Sequence, residues 1–194
     1  EEDPNVYPDT PSRQASRAMM GDIVRCDAEA VDLEVRVLAH APIESIEVRN
    51  ATDVVEVLRP FSESDLGPRV RVVWSGAEYR GRGRETNWVG RARFHGCAIE
   101  HMTKINAWNH ERLLEQRGVD AVEWDAITTG NFGGFDAYLR EGDGASLEIR
   151  TNLGDMDIPL ADLGMNPVLH EARGLRRELR VSRLPDRGGA TDQG

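Results

Sequence analysis

The sequence predicts an all-β fold, an antiparallel sandwich-like domain with one short helix. Three observations predict it. Apolar and polar residues alternate in short runs, the period of strands with unlike faces. Turn signals recur at intervals of about ten residues, as they do in sandwiches and barrels. No long helical windows separate the runs, so nothing is available to carry the chain between parallel strands.

The stretch from Arg69 to Phe94 organises the rest. Val70, Val72 and Trp74 alternate with Arg69 and Arg71, and Trp88, Gly90, Ala92 and Phe94 alternate with Val89, Arg91 and Arg93. Two strands with a connection between them are expected. In that connection Gly81-Arg82-Gly83-Arg84 combines glycine freedom with positive charge.

Taken in order, residues 1–17 hold Pro4, Pro8 and Pro11 among acids and small polar residues, and read as an arm or linker. Met19 to Asp22 reads as a turn. Val31 to Leu38 alternates without a break and is the cleanest half-buried strand, with Leu33, Val35 and Val37 facing inward. Strands follow at Ser45–Asn50 and Val54–Leu58, the second closed by Pro60. His95-Gly96 reads as a break before a strand over Cys97–Ile105. Asn109–Arg117 is the one helical window, with Asn109 as N-cap and Gly118 as stop. Further strands are expected around Val122–Ala126, Gly133–Leu139, Leu147–Thr151, Asp155–Leu160 and Leu175–Leu184. Glu141-Gly142-Asp143-Gly144 reads as the hairpin turn between two of them. The domain spans 18–186, and 187–194 is a polar, glycine-rich tail.

Composition narrows the function classes. The chain has 194 residues, 30% of them charged, and a net charge of -10. That length can bury a full core, and that charge argues against a nucleic-acid partner. No apolar run approaches the ~18 residues of a membrane span, so no membrane partner is expected. The chain opens on Glu1-Glu2-Asp3-Pro4 with no signal-peptide core and no initiating Met, which leaves open that it is cut from something longer. Cys26 and Cys97 fit free thiols in a reduced compartment, which favours the cytoplasm; a bridge would need their Cα atoms within roughly 7 Å.

Five motifs, in one order, carry a resemblance. They are Met20-Gly21-Asp22, HAPIESIEVRN (His40–Asn50), RVVWSG with YRGRGRETNWVGRARFHG (Arg71–Gly76 and Tyr79–Gly96), TTGNFGG from Thr128, and LRVSRLPD (Leu179–Asp186). Together they resemble the C-terminal portion of a bacterial family of unknown function. Its longer members resemble metal-dependent hydrolases of the polymerase-and-histidinol-phosphatase type. The resemblance covers residues 18–186. The family pattern favours an acid and glycine after the second tryptophan, and an acid after Thr-Gly; Val89-Gly90 and Asn131 stand here instead. The resemblance implies a hydrolase-like domain upstream in the same polypeptide, which would hold the metal.

No catalytic signature stands out in the chain itself. His40, His95, His101, His110 and His170 show no HxH or HExxH spacing, so no metal ligand set and no cofactor are expected. Asp155 and Asp157 share a strand face but lack a calcium loop. Trp74, Trp88, Trp108 and Trp124 raise a sugar-stacking reading, but Trp74, Trp88 and Trp124 fall on the apolar phase of their strands, which favours core. The candidate site is therefore a docking or ligand face built from Tyr79, Arg80, Arg82, Arg84 and Trp88. Guanidinium forks flanked by aromatics suit a carboxylate-bearing partner, although the same arginines could pair within the domain. The expected function is a non-catalytic accessory or docking β domain. Alternatives are a glycan or small-ligand module, and part of a metal-dependent hydrolase with an unrecognised site.

Overall fold

The computed structural model describes residues 30, 32, 34–40, 43–50 and 53–186. The chain divides into two units, Glu1–Leu38 and Ala39–Gly194. Expectations that fall on the arm, Met19–Asp22, Cys26, Leu33 and the tail lie outside the described residues.

In the first unit, residues 34–38 form no strand, and Val35, Val37 and Leu38 are exposed. This corrects the strand expected over Val31–Leu38. Alternation states a fit to a half-covered pleat, and no partner strand is present among the described residues to supply it.

The second unit is all-β and antiparallel. Strands take 61% of the described residues and helical turns 4%, which leaves no room for crossover helices. β1 (Ile46–Asn50) and β2 (Asp53–Leu58) pair as a separate two-stranded sheet. The other strands form one sheet. They are β3 (Arg69–Ala77), β4 (Thr86–Ile105), β5 (Leu114–Arg117), β6 (Ala121–Thr128), β7 (Phe132–Thr151), β8 (Gly154–Pro159), β9 (Val168–Glu171) and β10 (Leu175–Leu184). Their order is β5-β6-β4-β7-β3-β10-β9, with β8 also on β7.

β4 and β7, each 20 residues long, are the spine. Phe94 pairs with Leu147 in one half and Ile99 with Leu139 in the other. Between these pairs the register slips, from His95 opposite Ser146 to Cys97 opposite Glu141. The slip absorbs residues 142–145, so Glu141–Gly144 is a bulge and not the expected hairpin. Both halves of β7 pair with β4 rather than with each other. Gly96 (φ 71°) and Gly144 (φ 69°) take left-handed backbone at this point, which glycine adopts freely. Two separate turn signals in the sequence are thus the two sides of one irregularity in a continuous strand pair.

The sheet folds over across that spine. β3 and β6 lie three strand steps apart, roughly 14 Å in a flat sheet. Yet Trp74 on β3 stacks on Trp124 of β6 at 5.0 Å, with the rings 9° from parallel. The first half of β4 with β5, β6 and β8 therefore faces β3, β9 and β10. Phe135 fills in beside both tryptophans, and Trp74, Trp88, Trp124, Phe94, Leu147 and Leu179 are fully buried. Val72, Trp74, Phe94, Ile99 and Trp124 all lie in the core, as their strand phase predicts.

The expected helix does not form. Asn109 does act as a cap, its Oδ1 accepting the Glu111 N–H at 3.0 Å. The turn goes no further, because Leu114–Arg117 is β5, paired with β6, and Leu114 is buried. A nine-residue window cannot hold helix alone, and sheet pairing with a core contact outweighs its propensity.

Candidate functional site

The connection between β3 and β4, residues 78–85, passes from one layer to the facing one. Tyr79 is half exposed, and residues 80–84 stand in solvent. A shallow depression here is lined by Gly81, Arg82, Gly83, Arg84, Glu85 and Thr129. Arg80, Arg82 and Arg84 have no ion pair among the described residues. The alternative in which these arginines pair inside the domain is therefore not what the structure contains.

Trp88 does not belong to this surface. It is fully buried, and its indole N–H donates to Thr128 Oγ1 at 3.0 Å. Thr128 in turn donates to the Gly76 carbonyl at 2.7 Å, fastening β6 to the end of β3. Trp88 anchors the root of the connection from inside, so the exposed candidates reduce to Tyr79, Arg80, Arg82 and Arg84. With Trp74 and Trp124 also buried, these tryptophans offer no ring for sugar stacking. At the positions where the resembled pattern prefers acids, Val89 is half exposed and Asn131 Oδ1 accepts the Thr129 N–H at 2.8 Å in a tight turn. Gly90 lies under Trp124, where a Cβ would come within 2.5 Å of the ring.

On the outer face of the sheet a group of charges is matched. On the face of β3 turned away from the core, Arg69 and Arg71 converge on Asp136 of β7 and on Glu44. Arg69 Nε donates to Asp136 at 3.0 Å and its Nη2 to Glu44 at 2.8 Å. Arg71 donates to Asp136 at 2.6 and 2.8 Å, and it also pairs with Glu44. Burial works against the Arg71 charge, but the hydrogen bonds it donates to Asp136, and then the charges of Asp136 and Glu44, raise its pKa above the ordinary range. Sequence reasoning missed this cluster. Its signal was present in Asp136, a lone acid inside the apolar run Gly133–Leu139, and in two arginines alternating with core valines.

A cleft beside the double bulge is lined by Arg93, His95, Cys97, Asp120, Arg140 and Glu141 among others. Its charged groups are engaged with one another or with side chains beside the cleft. Arg93 holds Asp120 at 3.1 Å, Glu141 holds Arg183 at 2.7 Å, and His95 lies 3.6 Å from Glu148. Burial, and then the Glu141 charge, push the Cys97 thiol above its ordinary pKa, the reverse of an activated nucleophile. Cys97 has no disulfide partner among the described residues.

The histidines do not converge. His101 packs on Tyr138 at 5.5 Å and His170 Nε2 lies 3.1 Å from the Leu153 carbonyl oxygen. Among the described residues, no three His, Cys, Asp or Glu side chains come together to hold a metal ion. Asp155 and Asp157 flank Arg150 at 3.9 and 2.8 Å, so a guanidinium occupies the place a cation would take. No described helix is long and apolar enough to cross a membrane. No protein-family model, curated protein or solved structure matches the chain.

Proposed function

We propose that this chain is a non-catalytic accessory β domain that docks a hydrolase-like domain upstream in the same polypeptide, through the β3–β4 connection. One observation carries the reading. Arginines in the regular strand ladders, such as Arg71, Arg150 and Arg183, find carboxylates inside the domain, whereas Arg80, Arg82 and Arg84 find none among the described residues. An exposed guanidinium without a partner contributes nothing to the stability of its own fold. Set against a carboxylate on another surface, the same fork forms short, charge-assisted bonds. Tyr79 adds a half-exposed ring beside them, the composition of an interface anchor. Trp88 and Thr128 hold the root of the connection, so its position is set before any partner arrives.

The test is the double variant Arg82→Ala with Arg84→Ala. Its urea midpoint should equal that of the parent, because no bond of the fold is lost. Its association with the separately expressed upstream domain should weaken about five- to thirtyfold, the effect of losing two pairs of ~0.5–1 kcal/mol each. Unweakened association, or a clear loss of stability, would rule the docking reading out.

A further inference from the structure

The turn between β9 and β10 lies directly against the root of the β3–β4 connection. Leu175 pairs with Ala77. A Cβ on Gly174 would sit 2.7 Å from the Ala77 carbonyl oxygen and 3.2 Å from that of Glu78. A Cβ on Gly76 would sit 2.2 Å from the Arg176 carbonyl oxygen, so the two segments touch through backbone. This turn carries Arg173, and Arg176 and Arg177 follow it at the start of β10; all three also lack an ion pair among the described residues. At Arg176 the backbone is left-handed (φ 50°), within a register slip between Leu175 and Glu178. Such bulges re-aim side chains at sheet edges. The Arg177 Nε is buried without a hydrogen-bond partner.

We infer that these two segments form one composite basic face at an end of the sandwich, and that it takes a carboxylate-rich segment of a protein partner. The inference rests on the docking reading and extends it to a second loop and a defined partner chemistry. Charge complementarity selects the occupant. The face is locally positive in a chain of net charge -10, so it can attract an acidic surface without drawing in a long polyanion. Glu78, Glu85 and Glu171 stand among the arginines and would repel a continuous run of phosphates. A protein surface can place its carboxylates between them. Tyr79 and Leu175, each at least 40% exposed, give such a segment apolar contact as well.

The experiment uses the full chain and a fluorescein-labelled peptide rich in glutamate with a central phenylalanine. A single-stranded oligonucleotide and tripolyphosphate serve as rival probes. Binding of the peptide, weakened by salt, is expected. Arg82→Ala with Arg84→Ala should weaken it about five- to thirtyfold, and so should Arg173→Ala with Arg176→Asn, asparagine being chosen because it tolerates left-handed backbone. Arg140→Ala is the control. Arg140 lies beyond Tyr138, which pairs with Arg69 at the opposite end of β3, and its loss should leave binding unchanged. If only the Arg82/Arg84 pair matters, the composite face is overturned while docking through the β3–β4 connection stands. The inference also fails if the peptide does not bind, if Arg140→Ala weakens binding equally, or if either rival probe binds more tightly.

Discussion

Replacing Asp136 with alanine tests how much of this fold depends on its buried charges. Asp136 is 4% exposed and accepts three guanidinium hydrogen bonds, at 3.0, 2.6 and 2.8 Å. Removing the carboxylate leaves two cations with Glu44 alone. The Arg71 side chain is 22% exposed and can recover some water, but that of Arg69 is 7% exposed and cannot. Breaking a buried pair from one side costs about 3–5 kcal/mol, most of it the uncompensated charge. Glu44 is one-third exposed and can swing toward Arg69, which places the expectation near the lower end. Urea unfolding followed by tryptophan fluorescence reads the change. With a slope of about 2 kcal/mol per molar, the midpoint should fall by roughly 1.5–2 M at unchanged slope. Asp157→Ala is the reference, since that carboxylate is 70% exposed beside Arg150 and its loss should cost no more than ~1 kcal/mol. If the two variants lose the same stability, the cluster on the outer face of β3 is not a buried network and the reasoning fails.

Two further outcomes are expected. Trp74→Ala should cost about 3–5 kcal/mol, because it opens a cavity and removes the stack on Trp124 at 5.0 Å; a loss of stability below ~0.5 kcal/mol by urea unfolding would mean the two layers do not meet there. In a Cys26→Ser background, alkylation of Cys97 by iodoacetamide should rise at higher pH than for a free cysteine, because burial and Glu141 both favour the neutral thiol. Glu141→Gln should move that rise to lower pH, and an unmoved profile would remove Glu141 from the account.

What the sequence made legible follows from which interactions are local. Strand phase is local. Val70, Val72 and Trp74, and then Trp88, Ala92 and Phe94, carry their inward face in their spacing, and all six are buried. Continuity is not local. Gly96 and Gly144 each look like the end of a strand, and only their positions on opposite sides of one register slip show a single bent pair. The Asn109–Arg117 window fails for a related reason, since its capping residue does cap, but the competing partner β6 is contributed by later sequence. Val31–Leu38 fails in the opposite direction. Its alternation is faultless, yet residues 34–38 have no neighbouring strand among the described residues.

The same distinction governs the arginines. A guanidinium on a strand finds its carboxylate through register. Arg71 pairs in the ladder with Asp136 and reaches it, Arg91 pairs with Arg150 but lies 3.8 Å from Glu123 on its other side, and Arg183 reaches Glu141 across the fold. Register brings such partners within reach, and the strand arginines left without one among the described residues, Arg176 and Arg177, lie inside the register slip of β10. A guanidinium beyond the strand ends has no ladder neighbour. Its carboxylate has to come from a loop or from another surface, and Glu78 and Glu85 in the β3–β4 connection pair with none of its arginines among the described residues. Arg80, Arg82 and Arg84 lie beyond the ends of β3 and β4, and the nearest loop carries further arginines rather than a surplus of acids. The charge left over at this end of the sandwich is therefore a consequence of topology, and on the docking reading proposed above a partner brought from outside matches it. Its contribution consequently belongs to association and not to folding, which is why the loop variants are expected to leave the urea midpoint in place while the Asp136 variant lowers it.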